Sequence, residues 1–286
     1  PIMNGYEATS AIRKLENEVI ELINQGQIVL ETGNLIKVKI DQFYGIEIND
    51  FAVTVAKTAL WIAESQMMKE TEDIVHMNLD FLPLTTNAFI VEGNSLQIDW
   101  ESVVPKYQVS YIMGNPPFVG ARVMSSEQKD DVKEIFQGWK NVGNMDYVCC
   151  WYKKCADFMK NTSIRAALVS TNSVSQGESV ANLWKPLLEN DVHIDFAYRT
   201  FQWDSEAKIK AHVHCVIIGF SIAPYNKPKK IFIDERYQIA KNINGYLLDA
   251  ANVYVESRNK PLCNIPEIGI GNKPIDGGYY LFEKEE

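Results

Sequence analysis

Apolar residues at Ala8, Ile12, Leu15, Val19 and Leu22 recur three and four apart, which predicts an amphipathic helix over residues 8–24, capped by Thr9 or Ser10. Ile36, Val38 and Ile40 alternate with lysines and predict a half-exposed strand. Residues 43–48 predict a strand with Glu47 near its end. Asn49 or Asp50 then caps a long helix through Ala52, Val55, Ala59, Ile62 and Met67. Apolar runs at 89–91 and 109–113 predict two buried strands, one running into Glu92-Gly93-Asn94-Ser95 and the other into Gly114-Asn115-Pro116-Pro117-Phe118. Helical patterns follow over 126–136 and 146–159, then an apolar strand at 166–170 and a short helix at 181–188 that Pro186 weakens. This alternation predicts an α/β fold, a parallel sheet covered on both faces. The runs 193–198 and 212–221 leave no room for a crossover helix, so they predict an antiparallel hairpin at the end of the sheet.

Past Pro224 the composition shifts to Pro, Gly, Asn and Lys, placing a boundary near 224–245: a main domain over 1–230, and a linker with the start of a second region over 231–286. The 286 residues are 46% hydrophobic and 23% charged, which excludes a disordered or fibrous chain. No apolar run reaches the roughly 20 residues of a membrane helix and no secretory signal opens the sequence, so a cytoplasmic protein without a membrane partner is expected. Five cysteines without a CxxC pair fit a reduced compartment. The net charge of −9 excludes a protein that coats nucleic acid by bulk charge. That excess lies entirely in residues 1–110, with 7 basic and 16 acidic side chains, while residues 111–286 are neutral and free to approach phosphate.

In open α/β sheets ligands bind beyond the carboxyl ends of the strands, where this sequence places Glu47, Asn94 and Asn115. A strand-end acid can take both hydroxyls of a ribose, although such an acid is more often a solvated turn residue. Asn115-Pro116-Pro117-Phe118 is more specific. Two prolines fix φ and remove two backbone donors, so the loop cannot extend the sheet, and Pro116 keeps Asn115 out of the helical region. The loop presents one amide and restricted carbonyls, able to accept both hydrogens of an exocyclic amine, with an aromatic ring to stack on the base. The bland alternative is a Pro-Pro turn with an aromatic anchor.

Asn115–Phe118 resembles the (Asp/Asn)-Pro-Pro-(Tyr/Phe) signature of class I S-adenosylmethionine-dependent methyltransferases acting on exocyclic amines, chiefly N6-adenine DNA methyltransferases. The wider match is similar to the methyltransferase part of the MmeI-like (type IIG/IIL) restriction–modification enzymes and covers nearly the whole chain. It rests on residues 13–18, 43–49, 114–119, 199–203, 214–220 and 256–262. The resemblance implies a class I methyltransferase Rossmann-like sheet, with S-adenosylmethionine as cofactor and double-stranded DNA as partner. Glu47 would hold the cofactor ribose, with Ile48 against the adenine. Asn94, where the family has Asp, would meet the adenine amine beside Ser95. Asn115, Pro116, Pro117 and Phe118 would form the catalytic loop, and Phe201 or Trp203 the second aromatic on the flipped base. The glycine-rich first motif should precede Arg13 and is absent from residues 1–10, where Gly5 stands alone. The resemblance therefore implies an N-terminally truncated core, with the rest of the methyltransferase and a nuclease upstream in the same polypeptide, and the start of a DNA target-recognition region at the other end.

Two rivals remain at this point: methylation of a protein glutamine amide, which also uses an Asn-Pro-Pro loop, and a non-catalytic DNA-binding fragment. His212-Val213-His214-Cys215 is set aside as a metal site, because on a strand Cys215 points away from both histidines; no metal is expected. Cys149, Cys150 and Cys155 read as core packing, Asp146-Tyr147 as a helix start with a pocket contact allowed, and Lys227–Lys230 as a solvated loop able to touch phosphate.

Overall fold

The computed structural model describes residues 5–24, 36–79, 88–202, 213–234, 236–258, 260 and 263–264. Residues 5–24 form α1 (Gly5–Asn24), which packs along α2 (Asp50–Val75), but not by the expected stripe. Leu15, Val19 and Leu22 are exposed, Thr9, Arg13, Asn17 and Ile20 are buried instead, and Thr9 and Ser10, expected as the cap, lie inside the helix. The α1–α2 seam is polar as well as apolar: buried Arg13 reaches Thr71 Oγ1 at 3.3 Å, and Thr71 donates to Asn17 Oδ1 at 2.7 Å. Glu16 pairs with Arg13, and its Oε1 also accepts from the backbone N–H of Lys37 and Val38. That carboxylate stands in for a neighbouring strand. The strand expected over residues 36–40 does not form; the segment turns into a 3₁₀ helix at Ile40–Gln42 instead. α2 begins where expected, with Asn49 Oδ1 accepting from Phe51 N at 2.8 Å and Ala52 N at 3.3 Å.

β1 (Tyr44–Glu47) and β2 (Phe89–Glu92) form a parallel pair with Glu47 opposite Glu92, and the short α3 (Trp100–Val103) follows. A second sheet contains β3 (Tyr111–Gly114), β4 (Arg165–Thr171), β5 (His193–Gln202), β6 (His214–Ser221), β7 (Lys229–Ile233) and β8 (Arg236–Ala240), in the order β3-β4-β6-β5-β7-β8. β3 and β4 are parallel, and β5 and β6 form the antiparallel hairpin read from sequence. The hairpin does not end the sheet, however. β6 lies between β4 and β5, β7 joins β5 in parallel, and β8 pairs antiparallel with β7. The sheet thus runs on past residue 230, because Ile231 and Ala240 turn into the core. Lys229 and Lys230, which read as part of a solvated loop, belong to an outer β-hairpin, whose charge discourages edge-to-edge association.

One face of this sheet is covered by α4 (Ser126–Ile135), α5 (Cys149–Phe158) and a helical run α6 (residues 177–189). β4 accordingly alternates, with Ala166, Leu168 and Ser170 buried and their neighbours half-buried. Tyr152 of α5 bonds Ser170 Oγ at 2.6 Å and packs against Trp184 and Phe220, with ring centroids 5.3 and 5.2 Å away. α6 continues through Pro186 because its middle, Val180–Trp184, widens to a π-helix just ahead of the ring that would clash with a tighter turn. Burial pushes the Cys150 thiol up to about 12 and that of Cys215 to about 11, so both are inert packing residues at neutral pH.

Asp195, 3% exposed at the start of β5, accepts from Ser221 Oγ at 2.7 Å through one oxygen, and its Oδ1 has no hydrogen-bond partner. Burial pushes its carboxyl up to about 6, with the Ser221 bond and the charges of Arg165 and Lys229 opposing. Burial, then Lys229 and Arg165, lowers His193, so its ring is neutral at pH 7 and its 3.5 Å contact with Asp195 is not an ion pair. A folded-state value above the unfolded one, near 3.9, contributes stability below about pH 4 that is lost as pH rises through 6, here about 2–3 kcal/mol. Asp195→Asn keeps an acceptor for Ser221 and removes the charge. The variant is expected to melt about 5 °C higher at pH 8 and unchanged at pH 4. Equal shifts at the two pH values would refute the assignment.

Candidate active site

The loop after β3 begins at Gly114, where a Cβ would lie 3.3 Å from Leu168 Cδ2; glycine lets β3 close on β4. Asn115 follows, exposed, and its amide makes no hydrogen bond among the described residues. Pro116 is buried, Pro117 exposed and Phe118 half-buried. The loop is tied down just beyond. Val119 O accepts from Tyr147 N at 2.9 Å, and Ala121 N donates to Asp146 Oδ1 at 3.1 Å. The other Asp146 oxygen accepts from Ser173 Oγ, which also contacts Thr171 Oγ1 at 2.6 Å, so the end of β4 joins the arrangement.

At the end of the β1–β2 pair, the Glu47 side chain is exposed and makes no hydrogen bond or ion pair among the described residues, while its carbonyl accepts from Gly93 N at 2.7 Å. Ile48 and Phe51, the next large apolar residues, are 73% and 76% exposed. Gly93 has φ +149°, and a Cβ there would meet Ile98 Cδ1 at 2.4 Å. This turn delivers Asn94, whose Oδ1 accepts from Leu96 N at 2.9 Å and whose Nδ2 donates to Asp131 Oδ2 at 3.0 Å. Both oxygens of Ser95 are engaged by indoles: Oγ by Trp151 Nε1 at 3.1 Å and the carbonyl by Trp100 Nε1 at 2.8 Å.

The two loops meet on α5 and the turn before it. Tyr147, Trp151, Lys154 and Phe158 are spaced as one helical face: Trp151 bonds Ser95, Lys154 Nζ bonds the carbonyls of Leu96 and Ile98 at 2.6 and 2.7 Å, Phe158 packs on Trp100, and Tyr147 reaches Asn94 through Asp131. Asp131 of α4, 5% exposed, accepts from Tyr147 Oη at 2.5 Å, Gln97 Nε2 at 2.9 Å and Asn94 Nδ2. Burial alone would raise its carboxyl. The bonds from Tyr147, Gln97 and Asn94, with the Lys154 charge, outweigh that and hold it below the ordinary carboxylate range. Burial and the Asp131 bond push the Tyr147 hydroxyl up, so it remains a donor.

Phe201 sits on β5 opposite Cys215, which lies opposite Thr171, so it belongs to the sheet end that carries Asn115. Three strand spacings separate β5 from β3, roughly 14 Å. Its ring packs edge-on against Tyr198 at 5.5 Å. Trp203 and His212 lie outside the described residues. Among the described residues no group of three or more His, Cys, Asp or Glu side chains could hold a metal ion. Surface hollows between α1 and α2 and at the β7–β8 hairpin lie away from these loops. The residues that sequence reasoning missed are Asp131, Gln97, Trp151 and Lys154. Their link to Asn94 and Ser95 spans up to 58 positions and leaves no local signal.

An α/β fold with polar loops at the carboxyl ends of the parallel strand pairs of its two sheets, and Asn-Pro-Pro-Phe after one of those strands, has the class I, Rossmann-like methyltransferase architecture. The chain belongs to the family described as MmeI, DNA-methyltransferase domain, which residues 6–233 match. It is 39% identical over 274 residues to DNA methyltransferase A of Bacillus subtilis (strain 168), covering 95% of this chain and 31% of that protein. It superposes on the type IIL restriction–modification enzyme MmeI, solved in complex with DNA, with a TM-score of 0.88 and 39% identity over 98% of this chain and 38% of MmeI. The chain thus spans about a third of the length of these relatives. Among the described residues no helix is long and apolar enough to cross a membrane.

Proposed function

We propose that this chain supplies the catalytic and adenosine-binding parts of a site-specific methyltransferase that uses S-adenosylmethionine to methylate the N6 amine of adenine in duplex DNA, within a cytoplasmic restriction–modification enzyme. The observation that carries this reading is Asn115: an exposed, unbonded amide on a rigid Pro-Pro loop, anchored by Asp146 at the sheet end that also holds Phe201.

The donor set fits the cofactor. Glu47 offers an unpaired carboxylate for a ribose diol, and Ile48 offers apolar surface for the adenine ring. Asn94 Oδ1, already accepting from Leu96 N, keeps one lone pair for the adenine amine. Ser95 acts as the peg that fixes this turn. When bound, S-adenosylmethionine supplies a sulfonium methyl group.

The target base is extruded, because its amine cannot be reached inside the stack. Asn115 Oδ1 and the Pro116 carbonyl accept the two N6 hydrogens and concentrate electron density on nitrogen. Phe118 and Phe201, or Trp203, would hold the ring of the extruded base beside Asn115. The bound cofactor would give up its methyl group to N6, and the proton lost from N6 would pass to solvent, because Asn115 and Pro116 offer it only weakly basic carbonyl oxygens. Positioning supplies most of the acceleration.

The test is transfer of labelled methyl to duplex DNA by this chain and by a version extended upstream, with the DNA digested to nucleosides. Label in N6-methyl-2′-deoxyadenosine is expected from the extended protein. Label in cytosine, or in a protein glutamine amide, overturns the adenine reading.

A further inference from the structure

Two adjacent residues ahead of α5 bind two different loops. The Asp146 carboxylate and the Tyr147 N–H hold the Asn-Pro-Pro-Phe loop through Ala121 and Val119. The Tyr147 hydroxyl, through Asp131, holds the Asn94 loop. From Ala121 N to Asn94 the path is three hydrogen bonds and a single peptide link.

Its chemistry goes beyond packing. An ionised carboxylate only accepts, so Asp131 requires the Asn94 NH₂ to face inward, and the Leu96 N–H, which needs the Asn94 oxygen, requires the same orientation. Asp131 is in turn oriented by Tyr147 and Gln97, which donate to it alongside Asn94. A pair of apolar residues could fill the same buried volume more cheaply, but would leave the Asn94 amide oriented by the Leu96 N–H alone.

We infer that Asp146, Tyr147 and Asp131 are positioning residues that set the methyl-accepting loop and the adenosine-binding loop against each other, with Asp146 governing the first and the Tyr147–Asp131 pair the second. This inference rests on the functional reading above, and its test separates the two.

Asp146→Asn, Tyr147→Phe and Asp131→Asn are compared in the upstream-extended protein. Asp146→Asn retains one acceptor but turns an NH₂ toward a second donor. It is expected to lower kcat roughly 30-fold while the KM for cofactor stays within about twofold. Tyr147→Phe and Asp131→Asn are expected to raise the cofactor Kd about tenfold, equivalent to about 1.4 kcal/mol, with kcat within about threefold. If all three variants change kcat and KM by a common factor, or only lower the melting temperature, the inference fails. Should the parent protein label no adenine, the functional reading fails alone. Equilibrium cofactor binding by Tyr147→Phe, and hydrogen exchange at the Ala121 amide in Asp146→Asn, still decide the positioning roles.

Discussion

Replacing Asn115 by Ala is expected to slow methyl transfer roughly 10²–10³-fold while leaving the folded state and cofactor affinity unchanged. The magnitude is that of losing one preorganised polar partner of the reacting group, about 3–4 kcal/mol in the transition state. Stability should not move, because the Asn115 side chain is exposed and makes no hydrogen bond among the described residues. Asn115→Asp supplies the control. It keeps an acceptor oxygen at the same atom and is expected to retain far more activity than Ala. Single-turnover methyl transfer and a thermal melt on the same preparations separate chemistry from folding. Intact activity in Asn115→Ala would remove the catalytic assignment, whatever the substrate.

Trp184→Ala is expected to cost about 4 kcal/mol of stability, in the upper range for truncating a buried side chain. Trp184 is fully buried, packs edge-on against Tyr152 and Phe220, and donates its indole N–H to the Val174 carbonyl at 2.9 Å. The truncation opens a cavity in the aromatic cluster and strands that carbonyl. Val174 follows Ser173, the residue that donates to Asp146, so methyl transfer should fall with stability. Trp184→Phe keeps most of the volume and should cost roughly half as much. Denaturant midpoints measure both, and a loss below about 1 kcal/mol for Ala would show that this cluster is not the centre of the core.

The helices of this protein were legible from local pattern. The stripe from Ala8 to Leu22 and the Asn49 cap each mark a helix that forms, because helical periodicity and capping involve residues within four positions, yet α1 turns Thr9, Arg13, Asn17 and Ile20 inward and leaves Leu15, Val19 and Leu22 exposed. Short apolar runs likewise marked β2, β3, β4 and the β5–β6 hairpin, although β2 and β3, expected to be buried, leave Phe89, Tyr111 and Met113 exposed. Residues 36–40 carried a strand-like alternation and failed for a non-local reason: Glu16, some twenty positions upstream, takes the backbone donors a neighbouring strand would have taken. β7 and β8 were hidden in a Lys-, Pro- and Asn-rich stretch, since an outer hairpin and a linker share that composition.

The candidate site divides the same way. Which side chains are available, Glu47, Asn94, Asn115 and Phe118 among them, was readable from strand ends and from two prolines that leave a chain few conformations. What those side chains face was not. That Asn94 is held by Asp131, Ser95 by two tryptophans and the Asn115 loop by Asp146 depends on α4 and α5 packing over the sheet. Local sequence is enough to set most of the elements and the chemical groups at their ends, because propensity, capping and proline geometry act over a few residues. Strand order, the interior place of β6 and the convergence of two loops on one helix arise only in the assembled fold, because hydrogen bonds between residues 25 to 58 positions apart are selected by the packing of the whole core.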